Sequence, residues 1–407
     1  MKMKQTALIL IFCLFLGCFC EKKLVFMSEV SRHGARAPMY DNLNYNEWEL
    51  QNSDLTQVGM RQHYLLGRQF HKYYIEEKGL LSVPFDYNQV LVKTTSTART
   101  QKSAQAQMMG WFFEKGQNIQ SWIQFNDETS LPPQYVENGK EIYEEIGQSN
   151  LPNSFQPIPT YSSPENYLNV ALEPAAGCKR IGELKARNNY TPQTKQFIEY
   201  LEENGVLERF REVFGLPDNT DITIKLIGEY YDTIYCNLFQ QLGLPEGVTE
   251  EDWDWIQFIY NYQQLYLNYG NELNLKLQST AFFRELLNQA RKTIYLEDKV
   301  KFMFYSASDN NVNTINLALN ITTFSTNIEE WKENQLRYSN VPFASTVIFE
   351  FYEEDYEIYV LFKYNGKAYN ICNVENEDYM CTFQQFEKLV SKYIMGINEW
   401  IQECRDI

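Results

Sequence analysis

The chain has 407 residues, with 53 Asp and Glu against 36 Lys and Arg and a formal net charge of −17. So acidic a polypeptide offers no basic face to a nucleic-acid backbone, which argues against nucleic-acid binding. Its length and 44% hydrophobic content suffice for one large α/β domain with an insertion, or for two domains.

Lys2 and Lys4 precede an apolar run from Ala7 to Phe19. The run is too short to span a bilayer comfortably, so residues 1–20 read as a secretory signal cleaved near Gly17 to Cys20. No other apolar run is long enough for a membrane-spanning helix, and the expected destination is the secreted, lysosomal or vacuolar lumen. A surface so rich in carboxylates suits acidic pH, where protonation relieves self-repulsion.

Leu24-Val25-Phe26-Met27 begins a strand that leads into Val30-Ser31-Arg32-His33-Gly34-Ala35-Arg36-Ala37-Pro38. A single histidine in a turn is ordinarily a surface or structural residue. Here it sits in R-H-G-x-R-x-P, between two arginines at a strand end, and that arrangement suits attack on phosphorus. Arg32 and Arg36 can hold a phosphate through charge-assisted bonds while His33 offers an unprotonated nitrogen as nucleophile. Thr56 is placed to cap the next helix, with Val58, Leu65, Leu66, Phe70 and Tyr73 at core spacing. His63 and His71 on that helix are structural or solvent-facing. Gln89 to Thr95 reads as a second strand, and the helix from Thr97 to Phe113 carries Arg99 in its first turn. A cation there is unfavourable unless it faces an anion, although a surface arginine is the ordinary alternative.

From 115 to 180 turn residues crowd the sequence, as in Leu151-Pro152-Asn153-Ser154 and Ser162-Ser163-Pro164-Glu165. From 190 to 295 the pattern is helical, with start signals at Thr191-Pro192 and a capping box at Thr249-Glu250-Glu251-Asp252. We therefore expect a largely helical cap, 115–280, inserted into a core formed by 21–114 and 281–407. Val300 to Tyr305 is the next strand and ends in Ser306-Ala307-Ser308-Asp309-Asn310-Asn311 before another helix. Thr346 to Phe351 follows, then a hairpin of Tyr356 to Tyr364 and Lys367 to Cys372 about a type I′ turn at Asn365-Gly366. One amphipathic helix, Thr382 to Gln402, closes the chain.

Strands alternating with helices at both ends predict an α/β fold, with a mainly parallel sheet flanked by helices on both faces. Ligands of such sheets bind beyond the carboxyl ends of the strands, where His33, Arg99 and Asp309 would converge. A phosphate monoester placed there would have its charge offset by Arg32, Arg36 and Arg99. The same arginines lower the pKa of His33, so that it stays nucleophilic in acid and forms a phosphohistidine that water hydrolyses. Asp309 can protonate the leaving group and then activate water, or it can simply be a helix N-cap.

Outside the signal lie Cys178, Cys236, Cys372, Cys381 and Cys404. Export favours disulfides, and an odd number leaves at least one thiol over. With no C-x₂-C pair and three histidines, neither a zinc site nor any other cofactor is expected. Asn189-Tyr190-Thr191 and Asn320-Ile321-Thr322 are candidate glycosylation sites at Asn189 and Asn320.

Several further segments accompany the Arg32-to-Pro38 motif. They are Leu55-Thr56-Gln57-Val58-Gly59-Met60-Arg61-Gln62, Arg99-Thr100, Tyr305-Ser306-Ala307 and Pro342-Phe343-Ala344-Ser345. On these residues the chain resembles the histidine acid phosphatases, from about residue 23 to its C-terminus. The resemblance implies an α/β core with a helical cap and hydrolysis of phosphate monoesters at acidic pH. By the same resemblance His33 is the nucleophile, Arg32, Arg36 and Arg99 bind phosphate, and Asp309 donates the proton. The family's distal motif is His-Asp, whereas this chain reads Ser308-Asp309. Ser308 can give the phosphate one hydrogen bond but no positive charge. Loss of one transition-state donor costs on the order of 10²–10³ in rate, so reduced activity is expected. A catalytically weak or inactive phosphate-ligand binder of the same family is the second reading. A phosphoglycerate-mutase-like transferase is a third, but it would need a further active-site histidine. The resemblance also implies the disulfides Cys178–Cys404 and Cys372–Cys381, leaves Cys236 unpaired because its partner position is Thr346, and admits a homodimer.

Overall fold

The computed structural model describes residues 22–40, 42–43, 48, 50–82, 85–112, 157–162 and 171–405. The predicted signal, the predicted turns at 151–154 and 163–165, and most of the first part of the predicted cap lie outside the described residues.

The sheet has eight strands: β1 (Lys23–Arg32), β2 (Val90–Thr94), β3 (Thr160–Ser162), β4 (Phe302–Ala307), β5 (Thr346–Glu354), β6 (Glu357–Tyr364), β7 (Lys367–Tyr369) and β8 (Cys381–Thr382). Their order is β3-β2-β4-β1-β5-β6-β7, with β8 also on β6. The expected parallel pairing holds for β3-β2-β4-β1, while β5 lies antiparallel to β1 and continues into an antiparallel hairpin, so the sheet is mixed. The α/β class stands. β3 falls in the stretch read as irregular, because three residues, Thr160-Tyr161-Ser162, carry no apolar run to announce a strand. Asn365 and Gly366 both have positive φ, 48° and 79°, as a type I′ turn requires.

The helices are α1 (Gln57–Phe70), α2 (Ala98–Trp111), α3 (Lys179–Asn188), α4 (Pro192–Glu203), α5 (Val206–Val213), α6 (Ile224–Phe239), α7 (Glu250–Tyr262), α8 (Glu272–Ile294), α9 (Asp309–Ala318), α10 (Phe383–Ser391) and α11 (Ile397–Arg405). Thr56, Thr191 and Thr249 accept the capping N–H bonds that start α1, α4 and α7, and Thr249 with Asp252 completes a capping box. The single C-terminal helix expected from Thr382 to Gln402 is broken into α10 and α11. The Thr280 hydroxyl accepts from the Met395 N–H, and the Tyr393 carbonyl accepts from Ser279 and Thr280, so α8 takes backbone groups that a continuous helix would use internally.

Alternation along β4 fixes the two layers. Phe302 and Phe304 pack with Phe70, Met108 and Trp111 of α1 and α2 on one face, and Met303 and Tyr305 with Phe282, Leu286 and Val312 of α8 and α9 on the other. A separate apolar cluster joins α4 to α7 through Phe197, Phe210, Ile227, Phe258 and Tyr262. The boundary placed at 280/281 falls within α8. No helix among the described residues is long and apolar enough to cross a membrane.

A buried polar chain lies between β1, α1 and α2. Gln107 Nε2 is 2.8 Å from each carboxylate oxygen of Glu29, Gln107 Oε1 is 2.8 Å from His63 Nδ1, and His63 Nε2 is 3.1 Å from the Arg32 carbonyl. With that amide orientation both nitrogens of His63 must donate. Burial, however, pushes Glu29 up to about 8 and His63 down to about 4. The reverse amide orientation satisfies the same atoms with both groups neutral: Glu29 O–H to Gln107 Oε1, Gln107 Nε2–H to His63 Nδ1, and His63 Nε2–H to the Arg32 carbonyl. The network thereby fixes the backbone immediately before His33.

The two shifts act on stability in opposite directions. The raised Glu29 contributes fully below its ordinary 4.5 and loses that contribution as pH rises through about 8. The lowered His63 contributes above 6.5 and loses it as pH falls through about 4. Between pH 6.5 and 8 only the Glu29 effect operates, and we expect denaturant unfolding of the wild type to show a loss on the order of 1 kcal/mol across that window. Glu29→Gln should flatten the slope; parallel curves for the two proteins would contradict the assignment.

Candidate active site

The end of β1 is held by its neighbours on both sides. His33 N–H donates to the carbonyl of Ala307, the last residue of β4, at 2.9 Å, Arg32 N–H donates to the Ser345 carbonyl at 2.9 Å, and the His33 carbonyl accepts from Ala344 N–H at 3.1 Å. The turn is then clamped from below by the start of α1. Thr56 donates both its N–H and its hydroxyl to the Ala35 carbonyl, and Arg36 pairs with Leu55 in an isolated bridge. Gly34 and Gly59 allow this approach: a Cβ on Gly34 would lie 2.4 Å from the Gly59 carbonyl oxygen, and one on Gly59 would lie 2.2 Å from that of Ala35. The Thr56 and Gly59 positions of the second motif thus serve the geometry of the first.

His33 is 2% exposed and lines a cavity of about 360 Å³ with Arg36, Arg99, Asp232, Ser308 and Asp309. Its Nδ1 lies 2.9 Å from the Gly34 carbonyl, a partner that can only accept, so Nδ1 carries the proton and Nε2 is the free, basic nitrogen. Burial holds its pKa well below the usual imidazole value, and the charges of Arg99, Arg32 and Arg36 lower it further.

The three arginines are balanced unequally. Arg36 forms a bidentate pair with Asp232, Nη2–Oδ1 2.6 Å and Nη1–Oδ2 3.3 Å, and Asp232 also accepts the Met39 N–H. Arg32 contacts Asp309 through Nη2–Oδ2 at 3.2 Å and donates Nη1 to the Val341 carbonyl. Arg99 has the Ser53 hydroxyl at 3.3 Å and no carboxylate partner among the described residues. Burial, reinforced by the charge of Arg36, pushes Arg99 down to about 10. The Nε groups of all three are buried without an acceptor. A guanidinium cluster with unspent donors is a receptor for an anion.

Asp309 is the first residue of α9 and Ser308 its cap, so the N-cap reading of Asp309 gives way to one in which its carboxylate faces Arg32. Burial acts to raise the Asp309 pKa, but Arg32 and Arg36 outweigh it, and the net shift is downward. Asn340 Nδ2 contacts Asp309 Oδ2 at 3.4 Å. The Ser308 hydroxyl donates to Asn311 Oδ1 at 3.0 Å, within the helix cap. His33, Arg32, Arg36, Arg99, Ser308 and Asp309 therefore meet at one sheet edge, whereas His63 and His71 are buried elsewhere. The His71 Nδ1–H donates to the Trp111 carbonyl at 2.6 Å.

Three neighbours of the site were not singled out from the sequence. Asp232 sits on α6 among Ile227, Tyr231 and Ile234, and an acidic residue on an otherwise apolar helix face was its only signal. Phe343, within the quoted Pro342-to-Ser345 segment, lies 4.4 Å beneath the Arg32 guanidinium, 5.7 Å from that of Arg36 and 5.6 Å from the His33 ring. Asn340 had no signal.

Two disulfides, Cys178–Cys404 and Cys372–Cys381, tie the N-cap of α3 to α11 and β8 to the loop after β7. Cys236 is free and buried, with Sγ 3.4 Å from Arg36 Nη1, and burial pushes its thiol up to about 12. Asn189 and Asn320 are exposed.

Residues 23–365 match the family model of the histidine phosphatase superfamily (branch 2). The lysosomal acid phosphatase of Homo sapiens is 26% identical over 400 residues, covering 94% of this chain and 81% of that one. The lysosomal acid phosphatase of Xenopus laevis is 24% identical over 399 residues (95% and 79%), and the prostatic acid phosphatase of Homo sapiens 24% over 402 residues (94% and 88%). Among solved structures, the apo phytase of Hafnia alvei superposes with a TM-score of 0.64 at 15% identity, covering 92% of this chain and 98% of that one. The multiple inositol polyphosphate phosphatase of Bifidobacterium longum, in complex with phosphate, gives 0.58 at 12% identity (94% and 95%). With the match running through the β1 turn, both helical layers and the first half of the hairpin, the chain belongs to the histidine phosphatase superfamily, branch 2.

Proposed function

We propose that the chain is an acid phosphatase that hydrolyses phosphate monoesters through a phosphohistidine on His33. One observation carries this reading: a buried, neutral imidazole whose Nδ1 proton is held by Gly34, beside three guanidinium groups with unspent donors. Arg32, Arg36 and Arg99 bind the phosphoryl oxygens. His33 Nε2 attacks phosphorus, the P–O ester bond breaks, and the departing oxygen takes the proton of Asp309. Water then gives its proton to the Asp309 carboxylate and attacks phosphorus, the P–N bond breaks, and inorganic phosphate leaves with neutral His33 restored.

The low pKa of Asp309 sets a condition on this scheme. In the free site Arg32 and Arg36 favour its carboxylate. A bound phosphate monoester offsets those charges and adds a negative one, which raises the Asp309 pKa and makes it a usable acid at low pH. The relatives' activity and the disulfides agree with a lumenal, acidic setting, in which residues 1–20 serve as the signal. We read Asn189 and Asn320 as glycan acceptors, 115–280 as the cap over the core, and a homodimer as the assembly the resemblance admits.

The catalytically weak binder is the alternative, and the Ser308 hydroxyl bond to Asn311 favours it, because the distal position then gives the phosphate neither charge nor a free donor. Two sets of measurements decide. His33→Ala should abolish both turnover and acid-quenched phosphoryl labelling between pH 4 and 6; labelling that persists in the variant would remove His33 as nucleophile. Asp309→Asn should lower kcat/KM, which reports only the steps up to P–O cleavage, by roughly 10²–10⁴ for an alkyl phosphate and far less for a nitrophenyl phosphate, whose leaving group needs no proton. Equal losses of kcat/KM on both esters would reject the proton-donor role. For the binder reading, saturable phosphate binding without turnover in both the wild type and Ser308→His is the expected result, whereas a gain in kcat on Ser308→His supports the enzyme.

A further inference from the structure

Behind Ser308 lies a second cavity of about 240 Å³, and Arg99, Ser308 and Asn310 line both it and the cavity of His33. The two therefore share a wall that includes position 308, where the family resemblance places a histidine. Lys185, on α3, lines the second cavity. It is half-buried and has no carboxylate partner among the described residues. Its ammonium lies 5.8 Å from the centroid of the Tyr269 ring, and the Tyr269 hydroxyl donates to the Asn310 carbonyl at 2.7 Å. One aromatic ring thus links the lysine to the Ser308-Asp309-Asn310 turn.

We propose that Lys185 is a phosphate-facing cation of this site, reaching from the cap helix to the side of the phosphoryl group that Ser308 leaves without charge. The assignment rests on the phosphate-binding reading above and adds a residue to it. Two independent features support it. In the free site Asp232 and Asp309 neutralise Arg36 and Arg32, so the core arginines present only one net positive charge to an incoming ester that carries up to two negative ones. Further, Lys185 responds to its surroundings as a group inside the site does: burial lowers its pKa and the charge of Asp309 acts to raise it. Glu173, the carboxylate that lines the same cavity, is occupied by the N–H and hydroxyl of Ser96, both to Oε1 at 3.2 and 2.7 Å. A serine in the shared wall leaves room for the lysine charge to act across it, and the larger imidazole would occupy that room. Serine at 308 and lysine at 185 are on this view complementary.

The test compares the full chain with Lys185→Met, Lys185→Arg, Ser308→His and the double variant Lys185→Met/Ser308→His. The inhibition constant of inorganic phosphate and kcat/KM for nitrophenyl phosphate are read at pH 5, with thermal melting as the check on folding. Lys185→Met should weaken phosphate inhibition roughly tenfold, Lys185→Arg should restore most of it, and in the Ser308→His background the same lysine substitution should have less than a twofold effect. A phosphate constant unchanged in Lys185→Met, or an equal loss in both backgrounds, overturns the assignment. Should the wild type not turn over, calorimetric titration with inorganic phosphate reads the same ratios. Wild-type phosphate binding that Lys185→Met leaves unchanged then overturns only the role of Lys185, whereas a wild type that binds no phosphate overturns the functional reading together with it.

Discussion

Three guanidinium groups around one uncharged imidazole are the constraint from which most of this molecule follows. Like charges buried together repel, and each must be partnered or given an anion. Arg36 finds Asp232 across 196 residues of sequence, and Arg32 finds Asp309 at the start of α9. α6 is thus fastened to the turn after β1 by an ion pair as well as by apolar contact. Removing one partner of such a buried pair typically costs about 3–5 kcal/mol, because the other charge is left uncompensated. The site therefore holds its own geometry before a ligand arrives.

The aromatic content of the chain has a role in the same balance. Phe343 lies under Arg32 and Arg36 and contacts Tyr235 and Phe239 of α6, which closes the floor of the site in low-dielectric material. Tyr231 and Tyr260 stack with ring centroids 3.7 Å apart, and burial drives both phenols well above their usual pKa. They bring aromatic surface to the site without adding negative charge, so the arginines are not neutralised by phenolates. Beneath His33, the Glu29–Gln107–His63 chain does the corresponding work for the backbone: it fixes the Arg32 carbonyl with groups that are both neutral between about pH 4 and 8.

The sequence made legible those parts whose signals are local. The strand-turn run at Arg32–Pro38, Arg99 after the second strand, and Ser308-Asp309 after the fourth could be placed at one sheet edge because parallel strands bring their carboxyl ends together. Thr56, Thr191 and Thr249 were legible as caps for the same local reason. What stayed hidden depends on contacts between distant segments. Asp232 looks like a stray acid on an amphipathic helix until Arg36 reaches it. His63 looks like one more residue of α1 until Gln107 and the Arg32 carbonyl enclose it. The C-terminal helix breaks where Thr280 and Ser279 on α8 claim its backbone groups. The mixed character of the sheet follows from β5 returning antiparallel beside β1, a pairing that alternation of strands and helices does not disclose.

Cys236 carries a consequence for how the chain matures. In an oxidising compartment five cysteines outside the first 20 residues can pair wrongly, and the odd one is a standing competitor for the four that form bonds. In the native fold that competitor is enclosed beside Arg36, and its thiol is too weak an acid to act as an attacking thiolate. Protection begins only when α6 has docked on the β1 turn. Burial of the odd thiol and assembly of the arginine cluster thus depend on one contact, and a chain in which α6 docks late keeps Cys236 open to scrambled pairing for longer. The packing that gathers the arginines in this way also shields the disulfides from the odd thiol.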